Sequence, residues 1–99
     1  MRLTAEARQV IRQTAREIFG GKVEVRLFGS RLDDTARGGD IDLPVVADEA
    51  IAEQERKTLR FVAKLQMHLG DQPIDVLVID PATNRQPVHM HALQQGVAL

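Results

Sequence analysis

Two short apolar runs, Ile41 to Val46 and Ile74 to Ile79, flank a stretch with helical periodicity, and that order constrains the fold more than any other feature of the chain. Leu59, Val62, Leu65 and Leu69 recur at three- and four-residue intervals between the runs. The spacing predicts a helix with one apolar stripe, ended by Gly70, and Asp48 is placed to cap its start. A strand–helix–strand unit closes as a right-handed crossover, which makes its two strands parallel neighbours. The run from Ile74 is apolar apart from Asp75, a pattern that predicts burial on both faces. Pro44 lacks the N–H that a sheet ladder uses, so an edge, a bulge or an early strand end is expected at the earlier run.

Ahead of this unit, Ala7, Val10, Ile11, Thr14, Ala15 and Ile18 follow helical spacing, predicting an amphipathic helix from Thr4 to Phe19. Thr4 suits the N-cap, and Gly20-Gly21 ends the helix. Val23, Val25 and Leu27 then alternate with Glu24, Arg26 and Phe28, which predicts a strand. The polar loop over 31–39 is short enough to favour an antiparallel pair with the next strand. Pro87 suits the first turn of a final helix running through Gln95, with Gly96 at its C′ position. The expected architecture is a small α/β (α+β) domain, a mixed and mainly three-stranded sheet flanked by helices. Its 99 residues allow one core, so one domain over 1–99. The chain has three Phe and neither Trp nor Tyr, so aliphatic residues must fill that core. Phe28 and Phe61 are candidates for it, not base-stacking platforms.

Composition removes several function classes. A net charge of −1 gives no strong nucleic-acid signal, since non-specific binding needs a basic surface. The chain contains no Cys, which excludes disulfides and thiolate metal sites. No stretch resembles a signal peptide or a bilayer span, so no membrane association is expected and a cytoplasmic location is the default. Arg8, Arg12 and Arg16 form a stripe on the first helix, expected as a solvated face, with contact to an acidic partner or RNA as the alternative. His89 and His91, two residues apart, cannot share a helix face as a metal pair.

The chemistry concentrates in Leu27-Phe28-Gly29-Ser30-Arg31 and, after the loop, Gly39-Asp40-Ile41-Asp42-Leu43. A Gly-Ser turn at a strand end offers N–H groups and a hydroxyl to phosphates. Asp40 and Asp42 fall on one face of their strand, with Cα atoms about 6–7 Å apart, and offer hard oxygen ligands to Mg²⁺. The crossover brings Asp75 to the same end of the sheet. Asp75 in an apolar strand is costly unless paired or metal-bound. Clustered carboxylates without metal repel, so at least one pKa should rise. Arg31 and Arg37 are candidates for charge-assisted contacts to phosphate; Asp33 and Asp34 read as solvated loop residues.

Gly29-Ser30-Arg31, Thr35-Ala36-Arg37 and Asp40-Ile41-Asp42-Leu43, with Asp75 as a third Asp on a later strand, resemble the signature of the minimal nucleotidyltransferases. These are the smallest members of the DNA polymerase beta-like nucleotidyltransferase superfamily. The resemblance implies in-line attack of a hydroxyl on the α-phosphorus of a nucleoside triphosphate, most simply transfer of AMP from ATP. It assigns Asp40, Asp42 and Asp75 to two Mg²⁺ ions, with Mn²⁺ as the alternative, and Gly29, Ser30, Arg31 and Arg37 to the nucleotide. Asp75 would lie nearest the acceptor hydroxyl. The acceptor-binding domain of larger relatives is missing, which points to a separate partner. In the minimal family that partner is often a HEPN-type helical RNase toxin, which the nucleotidyltransferase counters as antitoxin by AMPylation of a tyrosine or by direct binding. So small a core also leaves room for a homodimer. The alternative is a non-catalytic nucleotide- or partner-binding module on the same fold. A phosphatase-like acidic pocket fits less well, because it needs carboxylates at strand C-termini and this Asp pair opens its strand.

Overall fold

The computed structural model of the chain describes residues 3–29 and 40–99. Along them run α1 (Ala5–Phe19), β1 (Val23–Leu27), β2 (Ile41–Ala47), α2 (Gln54–Leu69), β3 (Ile74–Ile79), α3 (Pro87–Gln95) and β4 (Val97–Ala98). The sheet order is β3-β2-β1-β4. β2 and β3 are parallel, from Ile41↔Ile74 through Val46↔Ile79, and β1 is antiparallel to β2, as the crossover and the short loop require. β4 is a fourth strand beyond the three expected. It pairs antiparallel with β1 through Leu27↔Val97 and Arg26↔Ala98, and the Leu99 N–H donates to Val25 O at 3.0 Å. Gly96, between α3 and β4, has an ordinary φ of −67°. It serves close approach instead of a left-handed cap, since a Cβ there would lie 2.6 Å from Ala92 O and 3.3 Å from Arg26 Cβ.

Thr4 caps α1, its Oγ1 accepting from Ala7 N–H at 3.0 Å. Ile11, Ala15 and Ile18 meet Phe61 and Leu65 of α2 in one core with Val25, Leu27, Ile41, Leu43, Val45 and Ile74 of the sheet. Both helices thus cover the same sheet face. Phe61 is wholly buried, and Phe19 meets it edge-on at 5.3 Å. Leu59, expected in the α2 stripe, is instead 72% exposed. Two residues along a helix is about 200° of rotation, so a stripe centred on Phe61 turns Leu59 outward.

β3 departs from expectation too. It is an edge strand, not one covered on both sides: Val76, Leu77 and Val78 are half-buried and Asp75 is exposed. Pro44, by contrast, lies inside a regular seven-residue strand flanked by β1 and β3, at neither an edge nor an end. The β1–β2 ladder runs to Val25↔Val45 and returns at Phe28↔Asp42 in the same register, so no bulge is present. Pro44 falls in that interval, where its missing N–H interrupts the ladder without displacing it.

Asp48 does not cap α2. The N-cap is Glu53, in left-handed conformation (φ 55°) and without a side-chain cap bond. The start of α2 is held by Asp80, at the far end of β3. Asp80 is 2% exposed. Its Oδ2 accepts from Ile51 N–H at 2.9 Å and Gln54 Nε2 at 2.6 Å, and its Oδ1 from Ala82 N–H at 2.9 Å and Thr83 Oγ1 at 3.1 Å. The Ile51 N–H above all, then the Thr83 hydroxyl, Ala82 N–H and Gln54 amide, hold its carboxyl below the usual pKa against the opposing effect of burial. Replacing Asp80 by Ala leaves these donors unmet and should cost on the order of 3 kcal/mol, measured by urea denaturation. Because the folded pKa is lowered, Asp80 stabilises the fold above the ordinary carboxylate pKa. That contribution should fade as pH falls through the lowered value, and Asp80→Ala should lack this acid limb.

Candidate functional site

Asp42 and Asp75 are direct register partners on adjacent parallel strands, whose spacing is about 4.8 Å. On the other side of Asp42 lies Phe28, which forms an antiparallel bridge with it and donates its N–H to Asp42 O at 3.0 Å. Phe28, Asp42 and Asp75 thus form a row across three strands. Ile41 and Leu43, the chain neighbours of Asp42, are buried in the core under α1 and α2, so the row lies on the opposite sheet face. Asp40 is exposed and immediately precedes β2.

Asp42 is the electrostatic centre of the row. Its pKa is raised from the ordinary value first by burial, then by the Asp75 and Asp40 charges and by a hydrogen bond with Asp75. The rise expected of clustered carboxylates therefore falls on Asp42. Gly29 is packed onto the same side chain: its φ is +86°, and a Cβ there would lie 2.5 Å from Asp42 Oδ2. No ion pair neutralises Asp40, Asp42 or Asp75 among the described residues. Facing carboxylates with hard oxygen donors and no protein cation between them fit a divalent ion. As placed, however, no three His, Cys, Asp or Glu side chains among the described residues are grouped to hold one. Asp42 and Asp75 come together; Asp40 lies near enough to act on Asp42 by charge.

Of the residues expected at the nucleotide, Gly29 lies two residues past the end of β1, whereas Ser30, Arg31 and Arg37 lie outside the described residues, as do Asp33 and Asp34. The burial argument for Asp75 does not hold, because Asp75 is exposed, on the sheet face away from α1 and α2. Its register opposite Asp42 is what marks it. Phe28 is a correction: it is half-buried and outside the core cluster, and meets the exposed His91 of α3 edge-on at 5.4 Å. His89 instead accepts the Gln86 N–H on Nδ1 at 2.9 Å, closing the first turn of α3. Arg8, Arg12 and Arg16 line a groove along α1 with Leu99, and none is ion-paired among the described residues. Asp80 escaped the sequence reading, although Asp80-Pro81-Ala82-Thr83 carries a turn signal, an Asp whose side chain can close on N–H groups two and three residues ahead.

The family model of the nucleotidyltransferase domain matches residues 8–96. No curated protein matches the chain. Among the described residues, no helix is long and apolar enough to cross a membrane.

Two outcomes follow from the packing around Asp42. Its folded pKa is raised, so its contribution to stability is full below the unfolded carboxylate pKa and is lost as pH rises through the folded value. Thermal melts of the metal-free protein should show this loss, and Asp42→Asn should remove it, melting above wild type at neutral pH. Gly29→Ala should cost about 1–3 kcal/mol in denaturant titrations, from the positive φ alone, with displacement of Asp42 in addition.

Proposed function

The chain belongs to the nucleotidyltransferase domain family, and from that membership we propose a metal-dependent enzyme that moves AMP from ATP to a hydroxyl, on a helical HEPN-type partner for which it acts as antitoxin. The observation that carries the transfer reading is the Asp42↔Asp75 register with Gly29 seated on Asp42. The partner assignment is supported by the likeness of Gly29-Ser30-Arg31 and Asp40-Ile41-Asp42-Leu43 to the minimal nucleotidyltransferases.

Asp42 and Asp75, with Asp40, would hold Mg²⁺ or Mn²⁺. When bound, such ions neutralise the charge that builds on the attacking and departing oxygens. Gly29 and the residues that follow it, Ser30 and Arg31, together with Arg37, would receive the β- and γ-phosphates. Asp75 lies on the open edge of the row, where an acceptor can approach, and would take the proton of the acceptor hydroxyl. The hydroxyl oxygen forms a bond to the α-phosphorus, the α–β bridging P–O bond breaks, and pyrophosphate leaves with its electron pair. Only the ionised form of Asp42 can serve as a ligand. Because its pKa is raised, cation affinity should climb as pH rises through that value.

Incubation with α-labelled ATP and Mg²⁺, alone and with a HEPN-type helical protein should one be encoded beside it, tests the reading. Label should move to a partner tyrosine and fall to background with EDTA or with Asp42→Asn, while the variant still binds the partner. Label on another acceptor keeps the transferase and removes the antitoxin role. No label in a proven complex of folded proteins gives the non-catalytic binding module in its place.

A further inference from the structure

The row across the sheet has two unlike ends. On the β3 side Asp75 is exposed at an open strand edge. On the β1 side Phe28 is flanked by α3, which is pinned there by Arg26: its Nη1 donates to Leu93 O at 2.9 Å. Gly96 continues the contact, since a Cβ there would lie 3.3 Å from Arg26 Cβ. Arg26 and Phe28 are two residues apart and share the face opposite Val25 and Leu27. Among the described residues, the last turns of α3 therefore cover the carboxylate face on the β1 side only, and they bring His91 to Phe28.

Aromatic surface is scarce in this chain, which has three Phe and neither Trp nor Tyr. Phe61 is wholly buried, and Phe19 packs against it. Among the histidines, His89 is engaged through Nδ1 at the start of α3, and His68 lies in the last turn of α2, on the other side of the sheet. Phe28 and His91 are thus the aromatic pair that remains on the face carrying Asp42. Phe28 is half-buried and supplies the backing; His91 is exposed and offers a free ring face.

We propose that His91, backed edge-on by Phe28, is the shelf on which the base of the donor nucleotide stacks. The inference rests on the nucleotide-transfer reading above. In that reading Asp75 faces the acceptor, so the donor nucleoside lies toward β1. One strand spacing, about 4.8 Å, separates Asp42 from Phe28, and the His91 ring centroid is 5.4 Å from that of Phe28. A ribose and base attached to an α-phosphate at Asp42 reach that far. Stacking on an imidazole uses the π-face that every base has, so the shelf contributes affinity without selecting one base.

Calorimetric titration of the 99-residue chain with Mg-ATP and, separately, with Mg-tripolyphosphate tests the proposal. His91→Ala should weaken Mg-ATP by about tenfold and leave tripolyphosphate unchanged. His91→Phe, which keeps a ring and removes the nitrogens, should bind Mg-ATP like wild type. Thermal melts of both variants check folding; His91 is exposed, so neither should unfold. Unchanged Mg-ATP binding in His91→Ala overturns the shelf. Equal weakening of both probes also overturns it, by making His91 an anion contact. A wild-type chain that binds neither probe overturns the nucleotide reading itself, a result distinct from either of these.

Discussion

The parallel register of β2 on β3 sets two carboxylates side by side, and the rest of the structure is arranged so that this unfavourable pairing persists. Asp42 opposes Asp75 because Ile41 opposes Ile74 and Leu43 opposes Val76. Ile41, Leu43 and Ile74 are fixed by burial beneath α1 and α2. A slip of one residue would turn the core positions of β2 to the wrong face, so the hydrophobic pattern locks the register more strongly than the carboxylates oppose it. The left-handed turn at Gly29 then closes on Asp42 from the β1 side. Burial and like charge together raise the Asp42 pKa, so the pairing is felt most at the carboxyl on which Gly29 is packed.

β3 carries the contrast within itself. Asp75 near its start stands open and faces another carboxylate, whereas Asp80 just past its end is enclosed by hydrogen-bond donors. The residue type is the same and the surroundings are opposite. Asp80 ties the β2–α2 connection to the turn after β3, and its charge is met by dipoles. It needs no ion, and it strengthens the end of the domain away from the site. Asp40, Asp42 and Asp75, at the other end with Gly29, have no ion-pair partner among the described residues.

Much of this was legible in the sequence, for identifiable reasons. Long periodic segments reveal themselves: Ile11, Thr14, Ala15 and Ile18 give α1, and the two apolar runs around a helix force the parallel crossover. The convergence of Gly29, Asp42 and Asp75 follows from that topology alone. Position within the sheet did not follow. Whether β3 is an edge and β2 is flanked depends on pairings that no local pattern encodes, so Pro44 and Asp75 were assigned environments close to each other's. Leu59 misled because helical spacing fixes a stripe only to within a residue or two, and Phe61 centres the real one. Asp80 depends on a turn and on a helix start 29 residues away, a contact that local pattern reading cannot detect.

The least legible parts, α3 and β4, decide what kind of site the carboxylate row can be. A two-residue strand carries no periodicity, and α3 has a weak apolar stripe with only Ala92 buried. Their placement depends on Gly96, where any side chain would strike Ala92 O, and on Arg26, which reaches from β1 to the α3 backbone. Without them the sheet would present its acidic row with two open sides. With them the β1 side gains an aromatic wall, and among the described residues the β3 side stays free. For the transfer proposed above, that asymmetry would orient the two substrates. A small donor would lie against the walled side, while the open edge would admit a larger acceptor, including another protein.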